Sequence, residues 1–124
     1  MTLDIKISDA ELEIMRILWR DTDPKKAASL CDELEETKGW SRSTTNTLIT
    51  RLRDKNLIEP AQRYGVARYI PLVSEDDYIL AEEKALLCRV GSAKKLALAM
   101  VRNNHLTTDD IDELKAYFNQ EGGD

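Results

Sequence analysis

At 124 residues, with 42% apolar and 33% charged side chains, the chain suits one small globular domain or two very small ones. No apolar run approaches the roughly 20 residues of a membrane-spanning helix, and the opening MTLDIKISDAELE lacks the basic and apolar regions of a secretory signal, so a cytoplasmic protein is expected. The net charge of −5 is uneven: residues 38–68 hold seven basic side chains against two acidic ones, whereas residues 74–124 hold six against eleven.

In chain order, SDAE at Ser8 to Glu11 is a capping box, and Ile7 and Leu12 are placed as a hydrophobic staple. Ile14, Met15, Leu18 and Trp19 follow at helical spacing, which predicts a first helix to about residue 20. DTDP reads as a turn. A second helix is predicted over 26–37, with Ala27, Leu30, Cys31 and Leu34 on one face and Gly39 ending it.

Ser41 can cap a third helix that closes near Asn56. At 100° per residue, Thr45, Leu48, Ile49 and Leu52 share one arc, the predicted buried face. Ser43, Thr47 and Thr50 lie opposite with Asn46 beside them, bordered by Arg42 and Arg53 on one side and Thr44 and Arg51 on the other. LIEPAQRYGVARYIPLV then reads as a two-stranded hairpin over 57–63 and 66–72, with Pro60 confining the first strand to an edge.

From Ser74 the character changes. Three further helices are predicted, in SEDDYILAEEKALLCRV, SAKKLALAMVRNN and LTTDDIDELKAYF, with Tyr78, Ala81, Ala85, Cys88, Leu96, Met100, Ile111, Leu114 and Phe118 as their apolar positions. Their small faces cannot bury much alone, which makes a second copy of the chain the expected partner. Cys31 and Cys88, each within an apolar pattern, are read as reduced core thiols.

Catalysis finds little support. The one histidine, His105, has no cysteine or carboxylate cluster near it in sequence, and the acidic residues gather at helix starts, where they complement the dipole. No phosphate loop, nucleophile motif or metal-spaced Cys/His set is present, so neither an enzyme, a cofactor nor a metal is expected.

The order helix, helix, helix, hairpin is that of a winged helix-turn-helix, whose third helix enters the major groove. Between Ser41 and Thr50 stand four threonines, two serines and an asparagine, all indifferent helix formers. Their short hydroxyl and amide side chains suit contact with phosphates and base edges, threonine adding a methyl for thymine. Bordering arginines, with Arg63 and Arg68 on the wing, would meet the DNA backbone. The alternative is a winged helix that docks proteins and shows no specific DNA binding.

The same residues resemble the BlaI/MecI/CopY family of penicillinase-type transcriptional repressors over nearly the whole chain. ISDAELEIMRILW resembles the family's S-x-x-E-x-x-I/V-M-x-x-I/L-W. Trp40, Ser41, Thr44, Thr47, Leu48, Ile49, Arg51 and Leu52 fit W-S-x-x-T-I/V-x-T-L-L/I-x-R-L, and Tyr69, Pro71, Leu72 and Val73 fit Y-x-P-L-V. LTTDDIDEL resembles LS-x-E-E-I-E-E-L. Thr45 stands where Ile or Val is usual, a change near-isosteric in shape.

The resemblance implies a mainly α protein: a winged helix-turn-helix over residues 1–73, of three helices and a β-hairpin wing, then a three-helix dimerisation domain over 74–124. It implies a homodimeric repressor at inverted-repeat operators of TACA/TGTA type, controlling β-lactam resistance or related stress genes. Thr44, Thr47 and Arg51 carry over as DNA contacts, while Ser43, Asn46 and Thr50 occupy variable positions of the same face. In β-lactam-responsive members a membrane sensor protease system triggers cleavage at an Asn–Phe bond. The corresponding place is Ala99–Met100, where the flanking apolar pattern is kept and the bond's residues differ. Copper-responsive members carry paired Cys-x-Cys motifs near the C-terminus; FNQEGGD has no cysteine, so that kind of metal sensing is not expected.

Overall fold

The computed structural model describes residues 5–63 and 65–120. They form six α-helices and three short strands, in two compact units, Met1–Glu82 and Glu83–Asp124. No described helix is long and apolar enough to cross a membrane.

In the first unit, helix α1 (Asp9–Arg20) starts on the capping box: the Ser8 N–H donates to Glu11 Oε1 at 2.8 Å and the Glu11 N–H to Ser8 Oγ at 3.1 Å. Strand β1 (Lys25–Lys26) leads into α2 (Ala27–Lys38), which Gly39 ends in the left-handed conformation, φ 70°. Helix α3 (Arg42–Asp54) begins at Ser41, whose hydroxyl accepts from the Thr44 N–H. It stops at Lys55, and Asn56 takes the positive φ of 61° that turns the chain into the sheet.

Strands β2 (Ile58–Arg63) and β3 (Val66–Pro71) pair antiparallel from Ile58 opposite Pro71 to Arg63 opposite Val66. The sheet order is β1-β3-β2, which leaves β2 and its Pro60 at an edge. The expected two-stranded wing is therefore a three-stranded sheet. Lys26, read from sequence as the start of the second helix, and Lys25 before it pair with Arg68 and Tyr69. Two lysines carry no strand preference of their own; the hydrogen-bonding edge of β3 supplies it.

One core holds these pieces together. Ile14, Met15 and Leu18 of α1 meet Leu30 and Leu34 of α2, Leu48, Ile49 and Leu52 of α3, and Ile58, Tyr69 and Val73 of the sheet and its exit. Each such side chain contributes about 1.5–3 kcal/mol on burial. Cys31 lies in this core as expected, but Cys88 is exposed in the single chain. Its helical spacing follows an apolar stripe that the chain does not itself cover.

Helix α4 (Glu75–Val90) starts inside the first unit. Tyr78, read from sequence as a dimerisation residue, packs its ring on Trp19 within the chain, with centroids 5.4 Å apart. The Trp19 Nε1–H donates to the Val73 carbonyl at 2.8 Å, so the exit from the sheet and the first turn of α4 are fastened to α1. In the second unit, α5 (Ala93–Arg102) is capped by Ser92, and α6 (Thr108–Gln120) by reciprocal bonds between Thr107 and Asp110. Nothing in α4, α5 or α6 is fully buried.

Candidate nucleic-acid interface

Helix α3 packs its Thr45, Leu48, Ile49 and Leu52 inward and leaves Ser43, Thr44, Asn46, Thr47, Thr50, Arg51 and Arg53 exposed. The division follows from the 100° step: four apolar-sized side chains at i, i+3, i+4 and i+7 form the stripe that α1 and α2 cover. All seven α3 residues expected to touch DNA, namely Ser43, Thr47 and Thr50 opposite the buried face, Asn46 beside them and Arg42, Thr44 and Arg51 on its borders, are thus solvent-exposed.

The hydroxyls on that surface are already committed in one direction. Thr47 Oγ1 donates to the Ser43 carbonyl at 2.9 Å and Thr50 Oγ1 to the Asn46 carbonyl at 3.1 Å, each one turn back. Their protons satisfy the helix, and what faces outward is an oxygen lone pair beside a methyl group. Thr44 Oγ1 lies 3.0 Å from Ser41 Oγ at the helix start. Serine and threonine at these places are therefore compatible with the helix while offering an acceptor and a methyl to a ligand.

The arginines differ among themselves. Arg51 is exposed and has no ion-pair partner among the described residues. Arg53 lies over the Tyr69 ring, 5.9 Å from its centroid, which ties the far end of α3 to the sheet. Arg42, the first residue of α3, pairs with Asp32 of α2, which holds its guanidinium more basic than usual. Arg68 is half-buried in β3 opposite Lys26. The Arg63 side chain lies outside the described residues. Lys26 was missed by sequence reasoning; the basic pair KK before a helix was its signal, and only the pairing with β3 puts it beside Arg68.

Two further contacts fix the orientation of α3. Lys55, at its C-terminal end, donates to Glu11 Oε1 at 2.6 Å and to the Lys6 carbonyl at 3.1 Å. Glu11 is 1% exposed. Burial pushes its carboxyl up, but hydrogen bonds from Lys55 and Ser8 and the Lys55 charge outweigh this and leave it below the ordinary glutamate range. Arg20 forms a second network, with Asp21 and Glu33, that joins α1 to α2 on the surface. These arginine bonds depress both carboxyls.

In the second unit, Ala85, Met100, Leu114 and Phe118 are exposed, while Leu96 and Ile111 are half-buried; Ala81, at the end of the first unit, is also half-buried. Leu86, Val90, Leu98, Val101 and Tyr117 of this unit are exposed too, as are Ile79 and Leu80 of the first, more apolar side chains than the sequence pattern marks. Ala99 and Met100 both lie exposed in α5. Among the described residues no group of three His, Cys, Asp or Glu side chains is placed to hold a metal ion.

Three helices with an exposed hydroxyl- and arginine-bearing third member, flanked by a small antiparallel sheet, define the winged-helix class. The family model described as penicillinase repressor matches residues 7–120. The chain belongs to the penicillinase repressor family, whose members are transcriptional repressors and not enzymes. It is 35% identical over 120 residues to the methicillin resistance regulatory protein MecI of Staphylococcus aureus strain N315, covering 93% of this chain and 94% of that one. To the penicillinase repressor of Bacillus licheniformis it is 32% identical over 111 residues, covering 88% and 86%. Among solved structures, the DNA-binding domain of the repressor BlaI is similar at 33% identity and a TM-score of 0.54, over 63% of this chain and 94% of that domain. The monomeric form of B. licheniformis BlaI, in complex with the blaP half-operator, is similar at 33% identity and a TM-score of 0.55 over the same shares.

Proposed function

We propose that this protein is a homodimeric transcriptional repressor that reads an inverted-repeat operator of TACA/TGTA type with α3 in the major groove. The observation that carries this reading is the exposed face of α3. Indifferent helix formers fill the centre of its outer surface, and the outward groups of Thr47 and Thr50 are acceptors and methyls beside Arg51, unpaired among the described residues. The BlaI half-operator complex, on a similar domain, supports the same use. Thr44, Thr47 and Arg51 contact the site common to such operators, while Ser43, Asn46 and Thr50 set this protein's own preference. Lys26 and Arg68 lie on the sheet, where the adjacent phosphate backbone would pass, and Arg63 belongs to the same wing.

The second copy follows from the uncovered apolar surface. Leu114, Tyr117 and Phe118 of α6 are 56%, 64% and 60% exposed in the single chain, more than a separate domain leaves to water without function. Covering this surface with the same surface of a second chain would supply two α3 helices, one for each half-site of a palindrome. Release would then follow from anything that separates the copies. Cleavage near Ala99–Met100 by a membrane sensor protease is one such route, and control of β-lactam resistance genes is the matching role. The cytoplasm is where such a repressor acts.

The test is fluorescence anisotropy of the full chain on the duplex upstream of its own gene, against a scrambled duplex, at two salt concentrations. Tight, salt-sensitive binding of two chains to the first duplex alone is the expected result. Equal binding to both, or to neither, would leave a protein-docking winged helix as the better reading.

A further inference from the structure

Arg42 stands apart from the other basic residues of α3. It occupies the first turn, where a cation opposes the helix dipole and no acidic residue of that turn compensates it. Compensation comes from α2, whose Asp32 accepts a hydrogen bond from Arg42 Nη2. The neighbouring Cys31 Sγ lies 4.0 Å from the Arg42 carbonyl and 3.8 Å from Asn46 Oδ1, so α2 abuts the very edge of α3 that carries Arg42 and Asn46. Glu35, one turn further along α2, adds its field to Arg42. A carboxylate therefore sits on the rim of a face otherwise set with hydroxyls, an amide and arginines.

We propose that Asp32 is an affinity-limiting residue of the DNA interface: it holds Arg42 back from the phosphates and sets its own negative charge against the DNA backbone. The inference rests on the DNA-binding reading and deepens it. Both partners are more than half exposed, at 54% and 65% of their side chains. An ion pair this open to solvent contributes little to stability, so it is a tuning device and not part of what holds α3 in place. Bound to DNA, Arg42 either stays with Asp32 and contributes no phosphate contact, or leaves it and exposes an unpaired carboxylate near phosphates. Both outcomes lower affinity without touching sequence preference, because phosphate contacts carry no sequence information. For a repressor that must be displaced when its signal arrives, a weaker non-specific grip keeps the difference between operator and other DNA while shortening its stay on either.

The experiment compares wild type, Asp32→Asn, Asp32→Ser, Arg42→Gln and the Asp32→Asn/Arg42→Gln pair on a duplex carrying the TACA/TGTA inverted repeat and on its scramble. Expected for both Asp32 variants is binding tighter by about three- to tenfold on both duplexes, with the slope of log affinity against log salt steeper by about one. Arg42→Gln alone should leave the slope nearly unchanged, and in the Asp32→Asn background it should erase the gain in slope. Unchanged or weaker binding by both Asp32 variants, with an unchanged slope, would overturn the inference and make Asp32 a residue that orients Arg42. Failure of the wild type to bind either duplex would sink the DNA reading itself, and this inference with it.

Discussion

At the scale of single residues, the buried face of α3 contains one imperfection. Thr45 is 0% exposed, and its hydroxyl has no hydrogen-bond partner among the described residues. Its shape matches the Val or Ile that the resemblance leads one to expect, but an orphaned buried hydroxyl costs about 1–3 kcal/mol. Thr45→Val should therefore raise the free energy of unfolding by about 1–2 kcal/mol, read from urea titration, with operator affinity unchanged; a loss of stability would mean the hydroxyl is satisfied in solution. Glu11 is the opposite case, a buried carboxylate with every reason to be there. Its folded form titrates below its unfolded one, so its stabilisation is full above the ordinary glutamate range and disappears as pH falls through the depressed value. Glu11→Gln should lose about 2 kcal/mol at neutral pH and flatten the acid limb of the stability curve. An acid limb as steep as that of the wild type would assign the pH dependence to other carboxylates.

At the scale of elements, α3 trades its own stability for its surface. Thr47→Ala and Arg51→Ala should each weaken operator binding about tenfold or more without lowering the thermal transition. Thr47→Ala should even gain about 0.5 kcal/mol of helix stability. Unaltered binding by both variants would remove these two positions from the interface. The helices were legible in the sequence because their ends are written locally: Ser8 with Glu11, Ser41, Gly39, Ser92, and Thr107 with Asp110 all act over three or four residues. The outer face of α3 was legible for the same reason, since a 100° step turns sequence into surface. Strand β1 was not, because it exists only through pairing with β3, more than 40 residues away in sequence. The ties from Lys55 to Glu11 and from Arg42 to Asp32 were equally out of reach: either cation had several carboxylates to choose from, and only the packing of α3 on α1 and α2 selects one. Tyr78 fitted an apolar stripe on α4, and the proximity of Trp19 decided its place.

For the whole molecule, charge and apolar surface are divided between two tasks. The basic centre of the chain folds around α3 and the sheet, whereas the acidic C-terminal part carries the uncovered apolar side chains. A chain with net charge −5 can in this way approach a polyanion through one locally basic surface. Leu114→Asp places a charge in the middle of the surface assigned to the second copy. It should give monomers in sedimentation equilibrium and lower operator affinity by well over tenfold, because each half-site is then held by one chain. A dimer that persists in this variant would move the contact between copies elsewhere on the molecule.

The fastening of Trp19 to Val73 and Tyr78 has a practical side. The chain holds two tryptophans, and they stand at different posts: Trp40 is partly buried just ahead of α3, while Trp19 touches the exit from the sheet and the first turn of α4. Indole emission responds to its immediate surroundings, so each ring watches a separate event. With Trp19 replaced by Phe, the remaining light reports the arrival of a ligand at α3. With Trp40 replaced instead, it reports any loosening where the chain leaves the winged helix, and the order of the two signals after an inducing stimulus would give the direction in which release travels.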